Sequence, residues 1–360
     1  MDKRRRESLR SGRILTVRSS ALTLNTSNRL AAINHWLDTR FPPGTYDLAP
    51  ASADASFRRY FRVTTSNQAT FILMDAPPAH EDCRPFIHVA NVFAGAGVHV
   101  PAILAQDLEQ GFLLLSDLGS TTYLSALQPA HPDKANALYR DAIHALVRIQ
   151  ATSRQGVLPP YDRALLLREL QLFPEWYIAR QHGRTLLLAE QAVLDVAFEK
   201  ILANNLAQPS VFVHRDYHSR NLMVCADNPG IIDFQDAVMG PITYDLVSLL
   251  RDAYIEWDEE HQLDWCIRYW EEARRARLPV AGNFADFYRD FEWMGVQRQL
   301  KVLGIFARLS YRDGKTQYLN DQPMVMRYLR GAVRRYTDLA PLAKLLDTIA
   351  GDAPGVSYTF

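Results

Sequence analysis

The sequence predicts an α+β protein with two lobes, in which a small antiparallel β-sheet lobe precedes a larger, mainly helical lobe. Three observations lead to this prediction. Short β-type runs dominate residues 57–115, helical periodicity dominates residues 120–208, and helices resume after Pro241. The length of 360 residues suggests about two domains at roughly 150 residues each. Because small-molecule sites concentrate in clefts between lobes, we look for one there.

The first lobe is predicted to begin with a helix near Asn28, where apolar residues recur at helical spacing until Pro42. A β-hairpin is predicted to follow, with strands at 57–63 and 71–74. A second helix is predicted at 85–94, and two more strands at 103–104 and 112–115.

The second lobe is predicted to be helical with one strand-rich insert. Its early helices are placed at 138–149, 165–178 and 191–206. The insert holds three short apolar runs, at 211–213, 222–224 and 230–232. We predict five segments along the chain. They are a disordered basic leader (1–27), an N-terminal lobe (28–115), a hinge (116–119), a C-terminal lobe (120–345) and a tail (346–360).

Composition and charge exclude several classes of protein. Forty basic and forty acidic residues give a formal net charge of +0, which weakens the case for a nucleic-acid surface. The longest stretch without Asp, Glu, Lys or Arg, residues 85–106, is interrupted by polar residues and does not resemble a membrane span. Three scattered cysteines argue against a disulfide framework and fit the cytoplasm.

Residues 1–27 carry seven basic and two acidic residues without a following apolar segment, so they do not form a secretory signal. We interpret them as a disordered leader or an over-long start, with an anchor or targeting role as the less favoured alternative.

The most informative motif is the segment His214–Asn221, which reads H-R-D-x-x-x-x-N. This is the catalytic-loop pattern of phosphoryl-transfer kinases. Seventeen residues after Asp216, Asp233 directly follows an apolar strand. Asp216 can accept or orient the proton of an attacking hydroxyl, and Asn221 and Asp233 supply the oxygen ligands that Mg²⁺ prefers. The spacing therefore predicts a magnesium-dependent phosphoryl-transfer site.

Three neighbours of this motif are predicted to support it. His214 is expected to fix the loop by packing and hydrogen bonding rather than to act as a base. Asp236 is expected either to bind a second metal or to cap the following loop. Asp245 opens a predicted helix, and we expect it to be an N-cap or a brace for the catalytic loop.

With these residues in place, the chain resembles the aminoglycoside phosphotransferase family of kinase-like enzymes over roughly residues 28–340. Within that family it is most similar to the anomeric sugar kinases of bacterial cell-wall recycling. The resemblance is carried by the segments 52–62, 73–78, 214–221, 232–237, 240–241 and 244–246.

The resemblance implies a protein-kinase-like fold and transfer of the ATP γ-phosphoryl group to the C1 hydroxyl of N-acetylmuramate or N-acetylglucosamine. A nucleotidyltransferase would then use the product. It also implies that Asp216 is the catalytic base, that Asn221 and Asp233 are Mg²⁺ ligands, and that residues 114–118, with Leu115, Asp117 and Leu118, are the adenine-binding hinge segment.

Two departures from the kinase pattern affect the ATP site. The loop at residues 51–56 lacks glycine, so its backbone N–H groups with Ser52 and Ser56 would have to bind phosphate; an ordinary hairpin turn is the alternative. The usual strand lysine is also missing, and Met74 occupies that strand.

Arg59 or Arg62 is our candidate to replace the missing lysine. Strand alternation puts these two arginines on opposite faces, so at most one can point at ATP. Equally, both could be solvated charges at the strand edge.

The acceptor is expected to bind to the large lobe, and a sugar acid would need a cation for its carboxylate, ideally an arginine. Our candidates for acceptor binding are Arg251, Arg298 and Arg308 as cations, and Trp257 and Trp293 as stacking surfaces. Each of these is also an ordinary packing or surface residue type.

Two alternatives remain open at this point. A kinase of the same fold could act on an aminoglycoside, choline, homoserine or a fructosamine-type amine. A pseudokinase that binds nucleotide and regulates a partner is less favoured, because Asp216, Asn221 and Asp233 are all present, although the missing lysine fits it.

Overall fold

The computed structural model describes residues 28–53, 57–127 and 131–350. The chain divides into two compact units. Unit 1 extends to Arg84 and also includes Ala102–Asp117, and unit 2 comprises Pro85–Pro101 and the chain from Leu118 onward. The whole of the helix predicted at 85–94 therefore belongs to the helical unit.

Unit 1 is built on a five-stranded sheet in the order β1-β2-β3-β5-β4, in which all neighbouring strands are antiparallel. Its elements are a helix, α1, over residues 28–38, and the strands β1 to β5 at Tyr46–Ala53, Arg59–Thr65, Thr70–Asp75, Ile103–Asp107 and Phe112–Ser116. The predicted first helix, the hairpin and the later strand pair are confirmed.

Strand alternation gives this sheet a mainly apolar face that α1 covers. Phe61 and Val63 of β2 lie on that face and are buried. They pack in one cluster with other apolar residues of the sheet and of α1, namely Leu73, Phe112, Leu114, Ile33, Trp36 and Leu37. Burial of this face holds α1 against the sheet.

The strand β1 was not predicted as a full element. It pairs with β2 along its length, with a bulge between Pro50 and Ser52. Residues 51–53 of the predicted phosphate loop are therefore strand, with Ser52 opposite Tyr60. The rest of that loop, with Ser56, lies outside the described residues, as do the leader at 1–27 and residues 351–360 of the tail.

Unit 2 is dominated by helices. The helix α2, Cys83–Gly95, crosses the boundary between the units, and α3 to α11 follow at Tyr123–Ala126, Pro132–Ala151, Arg163–Leu172, Leu188–Ala207, Tyr244–Leu250, Glu259–Arg275, Phe284–Tyr311, Gln322–Arg335 and Ala340–Ala350. A π-helix, Phe173–Gln181, continues α5. No helix of the described residues is long and apolar enough to cross a membrane.

Four short strands form the insert that positions the candidate site. They are β6 to β9, at Ser210–Val213, Leu222–Met223, Gly230–Ile231 and Val238–Pro241. The outer strands β6 and β9 pair with each other, and so do the inner strands β7 and β8. The segment 214–221 therefore leaves β6 and enters β7, while residues 232–237 connect β8 to β9.

The helix α9 runs through the middle of unit 2, and nearly all of its central residues are buried. Gly304 lies in this central part because a neighbouring backbone approaches it closely. A Cβ atom built at Gly304 would lie 2.4 Å from the carbonyl carbon of Leu172 at the end of α5. Glycine is required here by packing, even though it lowers helix propensity.

We expect Gly304→Ala to lower the free energy of unfolding by about 1–3 kcal/mol, because the added methyl group forces α5 and α9 apart. The matched control is Gly331→Ala in α10, where an added Cβ meets nothing within 4 Å. That change should raise stability by up to about 1 kcal/mol. Urea unfolding of both variants measures the difference, and equal effects would contradict the close packing at Gly304.

Candidate active site

The start of the loop 214–221 is fixed by one buried carboxylate. The Asp245 side chain, in the first turn of α7, accepts hydrogen bonds from the backbone N–H groups of His214 at 2.6 Å and Arg215 at 3.0 Å. Burial raises the pKa of Asp245 to about 7, although both hydrogen bonds act in the opposite direction. Thr243 is the N-cap residue of α7, so of the two roles predicted for Asp245 the geometry supports the brace.

His214 is kept neutral by its burial, and both of its ring nitrogens have partners. Its Nε2 lies 3.0 Å from the carbonyl oxygen of Ile232, and the backbone N–H of Asp216 donates to its Nδ1 at 3.3 Å. Burial lowers the pKa of His214 to about 4. Both ring nitrogens are thus occupied, as expected of a residue that fixes the loop.

The middle of the loop is held by Asp252, which follows α7, and by one residue each of α3 and α4. The backbone N–H of Ser219 donates to the carboxylate of Asp252 at 2.9 Å, and its carbonyl accepts from Leu124 at 2.9 Å. The hydroxyl of the buried Tyr217 donates to the carbonyl of Ala142 at 2.8 Å.

Arg215 has an unusual conformation and a specific partner. Its φ of +78° is in the left-handed region, which is rare for a residue with a long side chain. Its guanidinium Nη2 lies 2.6 Å from Oε1 of Glu169 on α5. The same oxygen lies 3.2 Å from Nζ of Lys301 on α9, and the hydroxyl of Tyr161 donates to the other carboxylate oxygen.

The structure brings together Asp216, Asn221 and Asp233, as the sequence predicts. The Nδ2 group of Asn221 donates to the backbone carbonyl of Asp216 at 2.9 Å and to Oδ2 of Asp233 at 3.3 Å. The other carboxylate oxygen of Asp233 accepts from Nε2 of Gln235 at 2.8 Å. Asp233 has a φ of +64°, so its side chain is set by a strained turn after β8.

These residues fit a magnesium ion by the chemistry of their donor atoms. Asp233 contributes a carboxylate, and the amide nitrogen of Asn221 is used within the loop, which leaves its Oδ1 for a cation. Oxygen ligands of this kind suit Mg²⁺, which also keeps water and phosphate oxygens. In the described part of the chain, no three His, Cys, Asp or Glu residues are grouped to hold a metal by themselves.

The Asp216 carboxylate remains ionised in a positive environment. Burial acts to raise the pKa of Asp216, but Lys301, His218 and Arg298 outweigh it and lower the pKa to about 2.

Asp236, by contrast, is exposed, and its backbone carbonyl accepts from Arg215 at 3.4 Å.

The candidate residues for ATP in unit 1 have partners in that unit. Arg59 forms an ion pair with the buried carboxylate of Asp75, which also pairs with Arg29 at 2.6 Å. Arg62 makes a bidentate pair with Asp117, with Nε–Oδ2 and Nη2–Oδ1 distances of 2.7 and 3.1 Å. Neither is a purely solvated strand-edge charge, and the replacement for the missing lysine remains a prediction.

The two hinge leucines are apolar and buried. Leu115 in β5 is 2% exposed and Leu118, at the start of the helical unit, is 8% exposed. Their predicted contact with adenine remains a prediction.

Most of the candidate residues for the acceptor are engaged in packing. Trp257 donates its indole N–H to the hydroxyl of Tyr139 at 2.9 Å. The Trp293 ring lies edge-on to Tyr336 at 5.7 Å between centroids. Arg251 is paired with Glu292 at 3.1 Å. Arg308 is partly buried on α9, and Arg298 alone among these candidates is near enough to Asp216 to lower its pKa.

Glu169 and Lys301 belong to the site but were not predicted. They lie on α5 and α9, far in sequence from the motif, and a single Glu or Lys within a helical pattern is typical of a surface position. Their burial, at 5% and 6% exposed, is visible only in the fold.

The chain matches the model of the phosphotransferase enzyme family over residues 47–279. This chain belongs to the phosphotransferase enzyme family. Two curated relatives bear the name N-acetylmuramate/N-acetylglucosamine kinase. The relative from Neisseria meningitidis serogroup B is 51% identical over 325 residues, which are 90% of this chain and 97% of the relative. The relative from Pseudomonas aeruginosa is 50% identical over 333 residues, with 89% and 97% coverage.

The phosphotransferase also has the predicted kinase-like fold. It is similar to the solved ternary complex of an aminoglycoside phosphotransferase with streptomycin and ATP, with a TM-score of 0.53 and 15% identity over 86% of this chain and 97% of that one. This confirms the predicted two-lobed, protein-kinase-like class.

We expect Glu169→Gln to lower the free energy of unfolding at pH 7 by about 3 kcal/mol, because it leaves two buried cations without their carboxylate. Burial acts to raise the pKa of Glu169, but Lys301 and Arg215 outweigh it and lower the pKa. The contribution is therefore complete above the unfolded-state pKa of about 4.3 and is lost as the pH falls through the folded-state pKa.

The measurement is urea unfolding of the parent and the variant from pH 7 down to pH 3, and the difference between their stabilities should shrink as the pH falls. The matched control is Glu199→Gln, whose side chain is 63% exposed and pairs with Arg163. It should change stability by less than about 1 kcal/mol at every pH. A parallel loss in both variants would contradict the role given to Glu169.

Proposed function

We propose that this phosphotransferase transfers the γ-phosphoryl group of ATP to the C1 hydroxyl of N-acetylmuramate, N-acetylglucosamine or both. One observation carries the proposal. Asp216, Asn221 and Asp233 converge within one loop pair, in a chain that is half identical to relatives named as kinases of these two sugars. Free anomeric hydroxyls are the groups that a kinase acting on these sugars in cell-wall recycling would modify.

The residues of unit 2 have distinct roles in this proposal. Asp216 accepts a hydrogen bond from the acceptor hydroxyl and holds it in line for attack. Because Lys301, His218 and Arg298 lower the pKa of Asp216, its carboxylate is ionised near neutral pH and can orient the hydroxyl or accept its proton. Asn221 and Asp233 would hold Mg²⁺, which neutralises charge on the transferred phosphoryl group when bound.

The phosphoryl donor and the cellular location are supported by other observations. A fold shared with an ATP complex favours ATP as the donor. The three cysteines are all free thiols, which fits the reducing cytoplasm. A sugar 1-phosphate is a substrate for nucleotidyl transfer, so a nucleotidyltransferase is the enzyme class that would use the product.

The direct test is a phosphate-transfer assay with ATP, Mg²⁺ and each free sugar, in which ³¹P and ¹H NMR locate the phosphate. We expect the phosphate on C1. Choline, homoserine and an aminoglycoside serve as competing acceptors in the same assay. Transfer to one of these, but to neither sugar, would overturn the substrate assignment, and no transfer to any acceptor would favour the pseudokinase.

We expect Asp216→Asn to lower kcat by about 10²–10⁴-fold while nucleotide binding stays close to that of the parent, because the amide cannot orient or accept the hydroxyl proton in the same way. Steady-state turnover and calorimetric titration with a nucleotide analogue measure the two effects. The matched control is Asp264→Asn on α8, a half-exposed carboxylate paired with Arg268. Retention of more than about a tenth of kcat in Asp216→Asn would rule out the assigned role.

We expect Asp233→Asn to weaken binding of magnesium–ATP by about tenfold or more, as for the loss of a charged contact, without a matching loss of affinity for metal-free ATP. Calorimetric titrations with and without Mg²⁺ separate the two. If both affinities fall equally, or neither does, Asp233 is not a metal ligand.

A further inference from the structure

Three arginines are candidates to bind an anionic group of the acceptor, and the structure separates them. Arg251 is committed to Glu292 and also lies over the ring of Phe291 at 4.9 Å. Arg308 lies ten residues beyond Arg298 on α9, which is about 15 Å along the helix. Only Arg298 is both buried and close to the catalytic loop.

Arg298 is a buried cation that makes no hydrogen bond or ion pair within the described part of the chain. The residue is 3% exposed, and its Nη1 atom is closed to solvent and makes no hydrogen bond. No ion pair involves Arg298 among the described residues. It lies near enough to the carboxylates of Asp216 and Asp245 to act to lower the pKa of both, so its charge is balanced at longer range while its N–H donors lack an acceptor. Because buried polar groups are normally hydrogen-bonded, we expect this acceptor to arrive with a ligand.

The position of Arg298 indicates which ligand this is. Lys301, one turn further along α9, lies on the same side of the helix and donates to the hydroxyl of Tyr244 at 2.8 Å. Through Glu169, Lys301 is joined to Arg215, the residue that precedes Asp216. Arg298 thus lies beside the acceptor end of the loop.

Other unsatisfied polar atoms lie in the same part of the loop. Nδ1 of His218 and Oγ of Ser219 are buried and have no hydrogen-bond partner. Buried polar atoms are nearly always hydrogen-bonded, so three such groups near Asp216 indicate a site for a polar molecule. A sugar acid offers both hydroxyl groups and a carboxylate.

We propose that Arg298 forms a carboxylate-binding subsite beside Asp216, and that this subsite distinguishes acidic from neutral acceptor sugars. The inference rests on the proposed function and adds a residue and a ligand group to it. N-acetylmuramate carries a carboxylate on its lactyl ether, and N-acetylglucosamine has no such group. The planar guanidinium of Arg298 can make two parallel hydrogen bonds to that carboxylate.

The test combines two variants with three ligands. The variants are Arg298→Gln, which removes the charge, and Arg298→Lys, which keeps the charge but not the planar fork. The ligands are N-acetylmuramate, its methyl ester and N-acetylglucosamine. The methyl ester has nearly the same size as the acid but no charge. Arg275→Gln on α8, whose side chain is 72% exposed, is the control, and circular dichroism melting checks that each variant is folded.

We expect the parent to bind the acid more tightly than the ester by calorimetry. Arg298→Gln should lose about 10–100-fold in affinity for the acid, as for a charged hydrogen-bonded pair, and should change the affinity for the ester and for N-acetylglucosamine by much less. The affinity of Arg298→Lys for the acid should lie between that of the parent and that of Arg298→Gln. The ratio of kcat/KM for the acid to that for N-acetylglucosamine should fall to the same extent as the binding ratio.

Two results would overturn the subsite. The affinity for the acid could be unchanged in Arg298→Gln, or all three ligands could be weakened equally, which would make Arg298 a positioning residue for Asp216. These failures are distinct from failure of the proposed function. If the parent phosphorylates the sugars but the ratio of kcat/KM for the acid to that for N-acetylglucosamine is unchanged in the Arg298 variants, only the subsite is wrong. If the parent neither binds nor phosphorylates the sugars, the subsite and the proposed function are both wrong.

Discussion

The candidate site depends on one buried carboxylate, that of Asp245, which accepts hydrogen bonds from two successive backbone N–H groups at the start of the catalytic loop. Removing a carboxylate from water is costly unless it is hydrogen-bonded. Here the two donors belong to the segment whose position determines where Asp216 lies. The interaction therefore couples the folding of α7 to the geometry of the loop. It also provides a direct hydrogen-bond partner for the backbone of Arg215, which has a left-handed conformation.

A second layer of buried charge surrounds this brace. Its acids include Glu169, Asp216 and Asp245, and its bases are Arg215, Lys301 and Arg298. Glu169 contacts two of these cations, whereas Arg298 makes no hydrogen bond or ion pair with any other described residue. Lys301 and Arg298 lie near enough to Asp216 to help lower its pKa, so its carboxylate is ionised near neutral pH.

Much of the fold could be predicted because its patterns are local. The hairpin of unit 1 was predicted from alternation, and Asp216, Asn221 and Asp233 were predicted from a kinase-like motif and its distance from the following strand. The strand β9 was not predicted, since Gly240 and Pro241 weaken the strand pattern in the sequence. Backbone hydrogen bonds join β9 to β6 and, at Met239, to Pro159 and Tyr161. Glu169 was missed because its partner Arg215 is 46 residues away, and only tertiary packing reveals that both are largely removed from solvent.

The pairing of Arg215 with Glu169 bears on how such an enzyme is controlled. In many protein kinases an arginine beside the catalytic aspartate is one of the groups whose order depends on an added phosphate, which switches a mobile segment into place. Here the anion is a side chain of the same folded unit. Arg215 therefore has its anion as soon as the protein folds, and the start of the loop needs no added phosphate to pair this arginine.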